Sequence, residues 1–323
     1  MASDSADSSI SRRATVQRVV VSAPGSTMLF GEHAVLYGEA AIACAVETRL
    51  RVEAALRDDR RVVIRSSLGG LETDLDRLAQ DHTHRFTLAL LEKWKNRLPG
   101  GLDLAISSDF SHKVGLGSSA ALTVAVAGAL RSISGLPLRP RTMLDECLAV
   151  VQEVQGSGSG TDLVASLYGG IVHYRPATRS VTPLGEDLPL TLYYSGYKTP
   201  TPEVIAHVTK ERALIPSLYD HLFRVMGECT QQATGAIREH NMTRLGRCMN
   251  VYNGLMEGLG ICDKTLSEMV HTLRQQGAEG VKISGSGLGD CVIALGNAGD
   301  LAGYDLIPVP VAKCGVYLEP DAD

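Results

Sequence analysis

The seven cysteines of this chain contain no Cys-x-x-Cys pair. Cys44, Cys147, Cys229, Cys248, Cys262, Cys291 and Cys314 are dispersed and odd in number. That pattern speaks against a zinc site or a disulfide framework and reads as reduced, mostly buried thiols of an intracellular protein. No apolar run reaches transmembrane length. Residues 1–14 lack the apolar stretch of a secretory signal; rich in Ser, Asp and Ala and ending in Arg12-Arg13, they read as a disordered, solvated tail. The last residues, Pro320 to Asp323, are not a Ser-Lys-Leu peroxisomal address. The expected compartment is the cytoplasm, with a peroxisome-type organelle left open. Positive charge is not in excess either. A net charge of −5 argues against a nucleic-acid surface and gives no reason to invoke a membrane. An acidic chain can still hold a polyanion where amides, lysines or a metal build the seat locally. Repeats of 20–50 residues are absent. What remains is a globular composition, 44% hydrophobic over 323 residues, which suits two domains.

Periodicity predicts strands at 16–22, 40–46, 48–56, 61–66 and 102–108, with a turn at Ala23-Pro24-Gly25 and a helix over about 74–98. Helices follow from 118 to about 133 and at 140–154, then a short helix after Asp162 and a strand at 171–174. The Pro-, Gly- and charge-rich stretch 176–189 reads as a domain boundary. Beyond it come a strand at 190–195 and helices at 202–215, 218–239, 242–259 and 264–276. Strands at 281–284, 291–295, 306–309 and 315–318 finish the chain. Strands and helices segregate within each half, which predicts α+β rather than a wound parallel sheet.

The most informative stretch is Lys113-Val-Gly115-Leu116-Gly117-Ser118-Ser119-Ala120. A glycine turn that opens an apolar helix points unpaired N–H groups and the positive end of the helix dipole at whatever occupies the turn, a phosphate seat. The alternative is a tight turn into a buried helix. No lysine stands where a Gly-x-x-x-x-Gly-Lys-Ser/Thr loop needs it, and the dinucleotide fingerprint is absent. Three further glycine-punctuated loops stand out, at 24–38, 156–162 and 285–289. Asp162 reads either as a helix cap or as a general base. Glu32 and His33 either brace their loop or contact a substrate; His33 can donate to a carboxylate. His82, His84, His207 and His271 read as surface residues.

The order and content of these loops resemble the GHMP kinases, the family named for galactokinase, homoserine kinase, mevalonate kinase and phosphomevalonate kinase. The resemblance runs from about Val19 to Leu295 and rests on three motifs: Ala23-Pro-Gly-Ser-Thr-Met-Leu-Phe-Gly-Glu-His-Ala-Val-Leu-Tyr-Gly38, Gly115 to Ala120, and Lys282-Ile-Ser-Gly-Ser-Gly-Leu-Gly-Asp-Cys291. It implies a two-domain α+β fold. A βαβ-type N-terminal domain with the ATP loop would span 15–185, and a ferredoxin-like α+β domain 186–323. It implies ATP and Mg2+ as cofactors, a small-molecule partner and no nucleic-acid or membrane partner, and it admits a homodimer. The Gly-Glu-His-Ala-Val string looks like that of members that phosphorylate mevalonate to 5-phosphomevalonate in isoprenoid synthesis.

By the same resemblance Asp162 is the catalytic residue. Gly115, Leu116, Gly117, Ser118, Ser119, Ala120, Gly285, Ser286 and Gly287 hold the ATP phosphates. Ser119 contacts the magnesium on ATP, and Ser26, Glu32, His33 and Thr201 bind substrate. Two positions depart from the pattern. Ser26 stands where many relatives carry lysine. Val151 stands where the family often has a magnesium-binding glutamate; Glu153, two residues on, turns about 200° around a helix and serves only if the intervening loop is arranged differently. The competing readings are another kinase of the family, acting on phosphomevalonate or homoserine, and a ligand sensor that binds without transfer.

Overall fold

The computed structural model describes residues 17–110, 115–296 and 298–320; the tail over residues 1–14 and Lys113 lie outside them. The first half runs β1 (Arg18–Phe30), β2 (Ala41–Leu56), β3 (Arg61–Ser66), β4 (Gly69–Asp74), α1 (Arg85–Trp94), β5 (Leu102–Ser108), α2 (Ser118–Ile133), α3 (Pro140–Gln155), α4 (Thr161–Tyr168), β6 (Ile171–Arg175) and β7 (Ser180–Gly185). The second runs β8 (Leu190–Lys198), α5 (Thr201–Leu214), α6 (Pro216–Arg238), α7 (Met242–Gly258), α8 (Lys264–Gln275), β9 (Gly280–Ser284), β10 (Gly289–Leu295), β11 (Asp305–Pro308) and β12 (Tyr317–Leu318).

One sheet has the order β12-β1-β2-β5-β3-β4, with β6 pairing both β2 and β7. The long β2 serves two partners along one edge: Ala41 to Cys44 pair with β6, and Leu50 to Leu56 pair with β5. The β3–β5 pair is parallel, joined through β4 and α1, which is the βαβ element of this half. The other sheet is antiparallel in the order β11-β8-β10-β9, the fourth-first-third-second order of a ferredoxin-like sheet. The fold is thus the two-part α+β arrangement expected from the motifs. No helix among the described residues is long and apolar enough to cross a membrane.

α2 lies against β1 and β2 and is buried over nearly its whole circumference. A helix apolar on every side belongs in a core. Its alanines (Ala120, Ala121, Ala125, Ala127 and Ala129) are all buried, and small side chains let its axis approach the sheet closely. A Cβ on Gly128 would meet the Val21 side chain at 2.8 Å. Five of the cysteines are buried, as expected, and all seven are free.

The structure differs from five local readings. Ala23-Pro24-Gly25 is no turn: β1 runs through it, and the register against β2 slips between Pro24 and Gly25. Proline lacks an N–H to give the ladder, so a bulge is where a strand accommodates it. β2 is likewise one strand rather than two. Buried Arg49 faces the slip, donating to Ser22 Oγ at 2.7 Å and to the carbonyls of Cys314 and Gly315 at 3.2 and 2.7 Å, which fastens the last segment to the first sheet. The expected helix over 74–98 shrinks to α1: Asp74 ends β4, which pairs back on β3, and residues 75–84 form turns and loop, with the Leu75 N–H donating to the Arg60 carbonyl at 2.7 Å. The boundary stretch 176–189 contains β7, paired to β6. His84 is buried and bonds Asp81 Oδ1 at 2.8 Å, not a surface residue; His207 is half-buried, while His82 and His271 are exposed.

Candidate active site

The glycine turn before α2 packs directly on β1. Ser26 N–H donates to the Leu116 carbonyl at 3.0 Å. Gly25 has no room for a side chain, since a Cβ would lie 2.6 Å from both that carbonyl oxygen and the Phe110 ring. Gly117 takes φ +66, and a Cβ there would overlap the Ser26 hydroxyl. That hydroxyl donates to Asp162 Oδ1 at 2.8 Å. Asp162 sits in the first turn of α4, entered through Gly160 at φ +85, so α4 brings a carboxylate to the corner where β1 meets the mouth of α2. Burial pushes the Asp162 carboxyl above its ordinary range, while the Ser26 hydrogen bond and the charge of Lys198 pull it back and the charge of Asp290 adds to the rise.

The third loop closes the same corner from the other sheet. Gly285, Gly287, Leu288, Gly289 and Asp290 all have positive φ. Asp290 Oδ1 accepts the Gly115 N–H at 3.1 Å, and its Oδ2 lies 2.8 Å from Lys198 Nζ. His33 Nε2 meets the Ser286 carbonyl at 2.8 Å. Thr27 and Ser284 join hydroxyls at 2.8 Å, and Thr199 Oγ1 donates to the Leu288 carbonyl at 2.6 Å. Behind this layer Glu32 and Lys282 form an ion pair, 1% and 0% exposed. Burial pushes the Glu32 carboxyl up and the Lys282 amine down, and each charge opposes the other's shift. Glu32 Oε2 is buried with no hydrogen-bond partner among the described residues. Burial also lowers the His33 imidazole. Tyr252, fully buried on α7, accepts the Gly31 N–H at 2.9 Å and donates to the Glu32 carbonyl at 3.2 Å, fixing the loop that carries both residues.

The arrangement suits a polyphosphate and an alcohol. The leading amides of a helix have no intrahelical partners, the turn before α2 is shaped by glycines that a Cβ would fill, and a carboxylate already occupies one of its N–H groups. The family models for the GHMP kinases N terminal domain and the GHMP kinases C terminal match residues 82–170 and 233–302. A mevalonate kinase of Thermococcus sibiricus is 34% identical over 300 residues, covering 86% of this chain and 89% of that protein. A mevalonate kinase of Pyrococcus horikoshii is 35% identical over 301 residues, with 87% and 89% covered. The chain belongs to the GHMP kinases. A crystal structure of a mevalonate kinase shares the fold at TM-score 0.75 and 22% identity, covering 91% of this chain and 99% of that one.

The GHMP motifs thus converge in space. Ser26, Glu32, His33, Gly115 to Ala120, Asp162 and Gly285 to Gly287 surround one corner between the two sheets. Two sequence candidates stand apart. Glu153 pairs with Lys93 at 2.7 Å and is 55% exposed. It is Val151 whose side chain meets Gly158, so the face of α3 turned to the Asp162 loop carries no carboxylate there. The two-residue offset rotates Glu153 away, and the expectation that it ligates magnesium is corrected. Thr201 begins α5 on the exposed surface, and the hydroxyl that reaches the third loop is that of Thr199. Sequence reasoning gave no role to Asp290 or Tyr252. A carboxylate set directly between the glycine loop and the apolar run Cys291-Val-Ile-Ala-Leu would have singled out Asp290; nothing local distinguishes Tyr252.

Proposed function

We propose that this chain transfers the γ-phosphoryl group of ATP to the primary hydroxyl of mevalonate, giving 5-phosphomevalonate. The observation that carries the reading is the Asp162–Ser26 pair beside the glycine turn of α2. Asp162 would take the proton from the alcohol while the triphosphate rests on the amides of Gly115 to Ala120. The alcohol oxygen attacks the γ-phosphorus, the bond to the bridging oxygen breaks, and the electron pair leaves on ADP; positioning and charge balance supply most of the acceleration. Magnesium bound to ATP would neutralise phosphate charge, with the Ser119 hydroxyl as this chain's oxygen ligand to it.

His33 and the unpaired Oε2 of Glu32 support recognition of a small hydroxy acid: the imidazole can donate to a carboxylate, and the carboxylate oxygen can accept from a hydroxyl. Thr201 would contribute only if α5 moves toward the corner. The whole-chain similarity to proteins named mevalonate kinase supports the choice of acceptor over others in the family. Purified protein mixed with Mg-ATP and mevalonate, homoserine or phosphomevalonate tests it by ADP release. ADP formed with mevalonate alone is the expected outcome. ADP formed only with another acceptor reassigns the substrate, and binding of ATP and mevalonate without ADP would make the protein a sensor.

A further inference from the structure

We infer that Lys198 is the cation that meets the transferring phosphoryl group and that Asp290 is the residue that positions it. The inference rests on the kinase reading above and deepens it. Lys198 ends β8 and pairs with Gly289 across the sheet; the register then slips, so Asp290 has no partner residue on β8. A bulge of this kind re-aims one side chain. Here it aims a carboxylate, 8% exposed, at two donors: the Lys198 ammonium at 2.8 Å and the Gly115 amide at 3.1 Å. Asp290 does so from φ +66, a conformation that non-glycine residues keep only when their surroundings impose it.

An ammonium and a phosphate-loop amide converging on one anion make a phosphate site that a carboxylate currently fills. The lysine head lies against the turn itself, because a Cβ on Gly115 would overlap both Lys198 Nζ and Asp290 Oδ2. Lys198 is 40% exposed and open to a ligand from solvent. Lys282, in contrast, is fully buried and committed to Glu32. Ser26 brings a hydroxyl but no charge to this corner. Lys198 therefore stands where negative charge builds as the bond between the γ-phosphorus and the bridging oxygen breaks, while the alcohol proton passes to Asp162. Incoming phosphate takes over the Gly115 amide, and Asp290 keeps the ammonium extended over the turn.

Calorimetric affinities for ATP and ADP without acceptor, together with kcat and KM, test this on Lys198→Gln, Lys198→Arg and Asp290→Asn. Lys198→Gln is expected to lose about 100-fold or more in kcat, as on removal of a preorganised charge-stabilising donor. Its ATP affinity should fall toward that for ADP, with ADP binding little changed. Lys198→Arg, which keeps the charge, should retain the preference for ATP and part of kcat. Asp290→Asn should lower kcat while holding or tightening ATP, because the carboxylate no longer competes for Gly115; a merely structural role would weaken both nucleotides. Unchanged kcat in Lys198→Gln, or equal losses of ATP and ADP affinity, overturns the inference. Should Lys198→Gln not fold, loss of the ATP preference in folded Lys198→Arg overturns it as well. Wild-type protein that releases no ADP with any acceptor defeats the kinase reading instead, and the ATP-against-ADP comparison still decides the place of Lys198.

Discussion

Lys282 and Glu32 place two opposite full charges in the interior, where each is tolerable only because the other is present. Removing one partner of such a pair strands the other. Lys282→Met is expected to cost about 3–5 kcal/mol in urea unfolding, and adding Glu32→Gln should recover part of it. A loss under about 1 kcal/mol would mean that Glu32 is protonated and the pair is not ionic. The glutamate itself was legible in the sequence as part of the Gly-Glu-His string. Its partner was not, because the lysine lies 250 positions away on β9 and only tertiary packing brings the two together. Asp290 lies in the same quoted motif as Lys282, and its meaning likewise appeared only in the fold, where the register slip between β10 and β8 turns it toward Gly115 and Lys198.

At the scale of elements, glycine and proline marked the site well and the secondary structure less well. Pro24 and Gly25 signalled a turn by local rule, yet they sit in a strand because a bulge needs the one and the approach of Leu116 needs the other. The helix expected over 74–98 failed over its first turns, where Asp74 ends β4 and residues 75–84 form turns and loop before α1 starts at Arg85. The turn before α2 opens a buried helix through Gly117, as its glycines suggested. Gly117 holds a left-handed backbone against the Ser26 hydroxyl, so Gly117→Ala combines conformational strain of about 1–2 kcal/mol with displacement of Ser26 from Asp162. The expected outcome is a melting temperature lowered by several degrees and a kcat reduced by about tenfold or more, measured by ADP release. Wild-type kcat in this variant would show that the Ser26–Asp162 contact is dispensable.

At the scale of the whole molecule, the chemistry depends on two sheets meeting at one corner. β1, α2 and α4 belong with the first sheet and bring Ser26, the glycine turn and Asp162; β8 and β10 belong to the second and bring Lys198 and Asp290. The α+β class and the glycine-rich loops that meet at the corner were readable from the chain because glycine placement and hydrophobic periodicity are local properties. Which loops touch is a property of the folded chain, and the division expected at residues 185 and 186 is crossed by β12, which returns to pair with β1. The proposed role of Asp162 as the proton acceptor is the point on which everything turns. Turnover of Asp162→Asn with Mg-ATP and mevalonate, measured beside the wild type, is the most direct test. A kcat lowered by at least about 100-fold with nucleotide affinity retained is the expected result; a variant that turns over at the wild-type rate would contradict the assignment of Asp162 as the base.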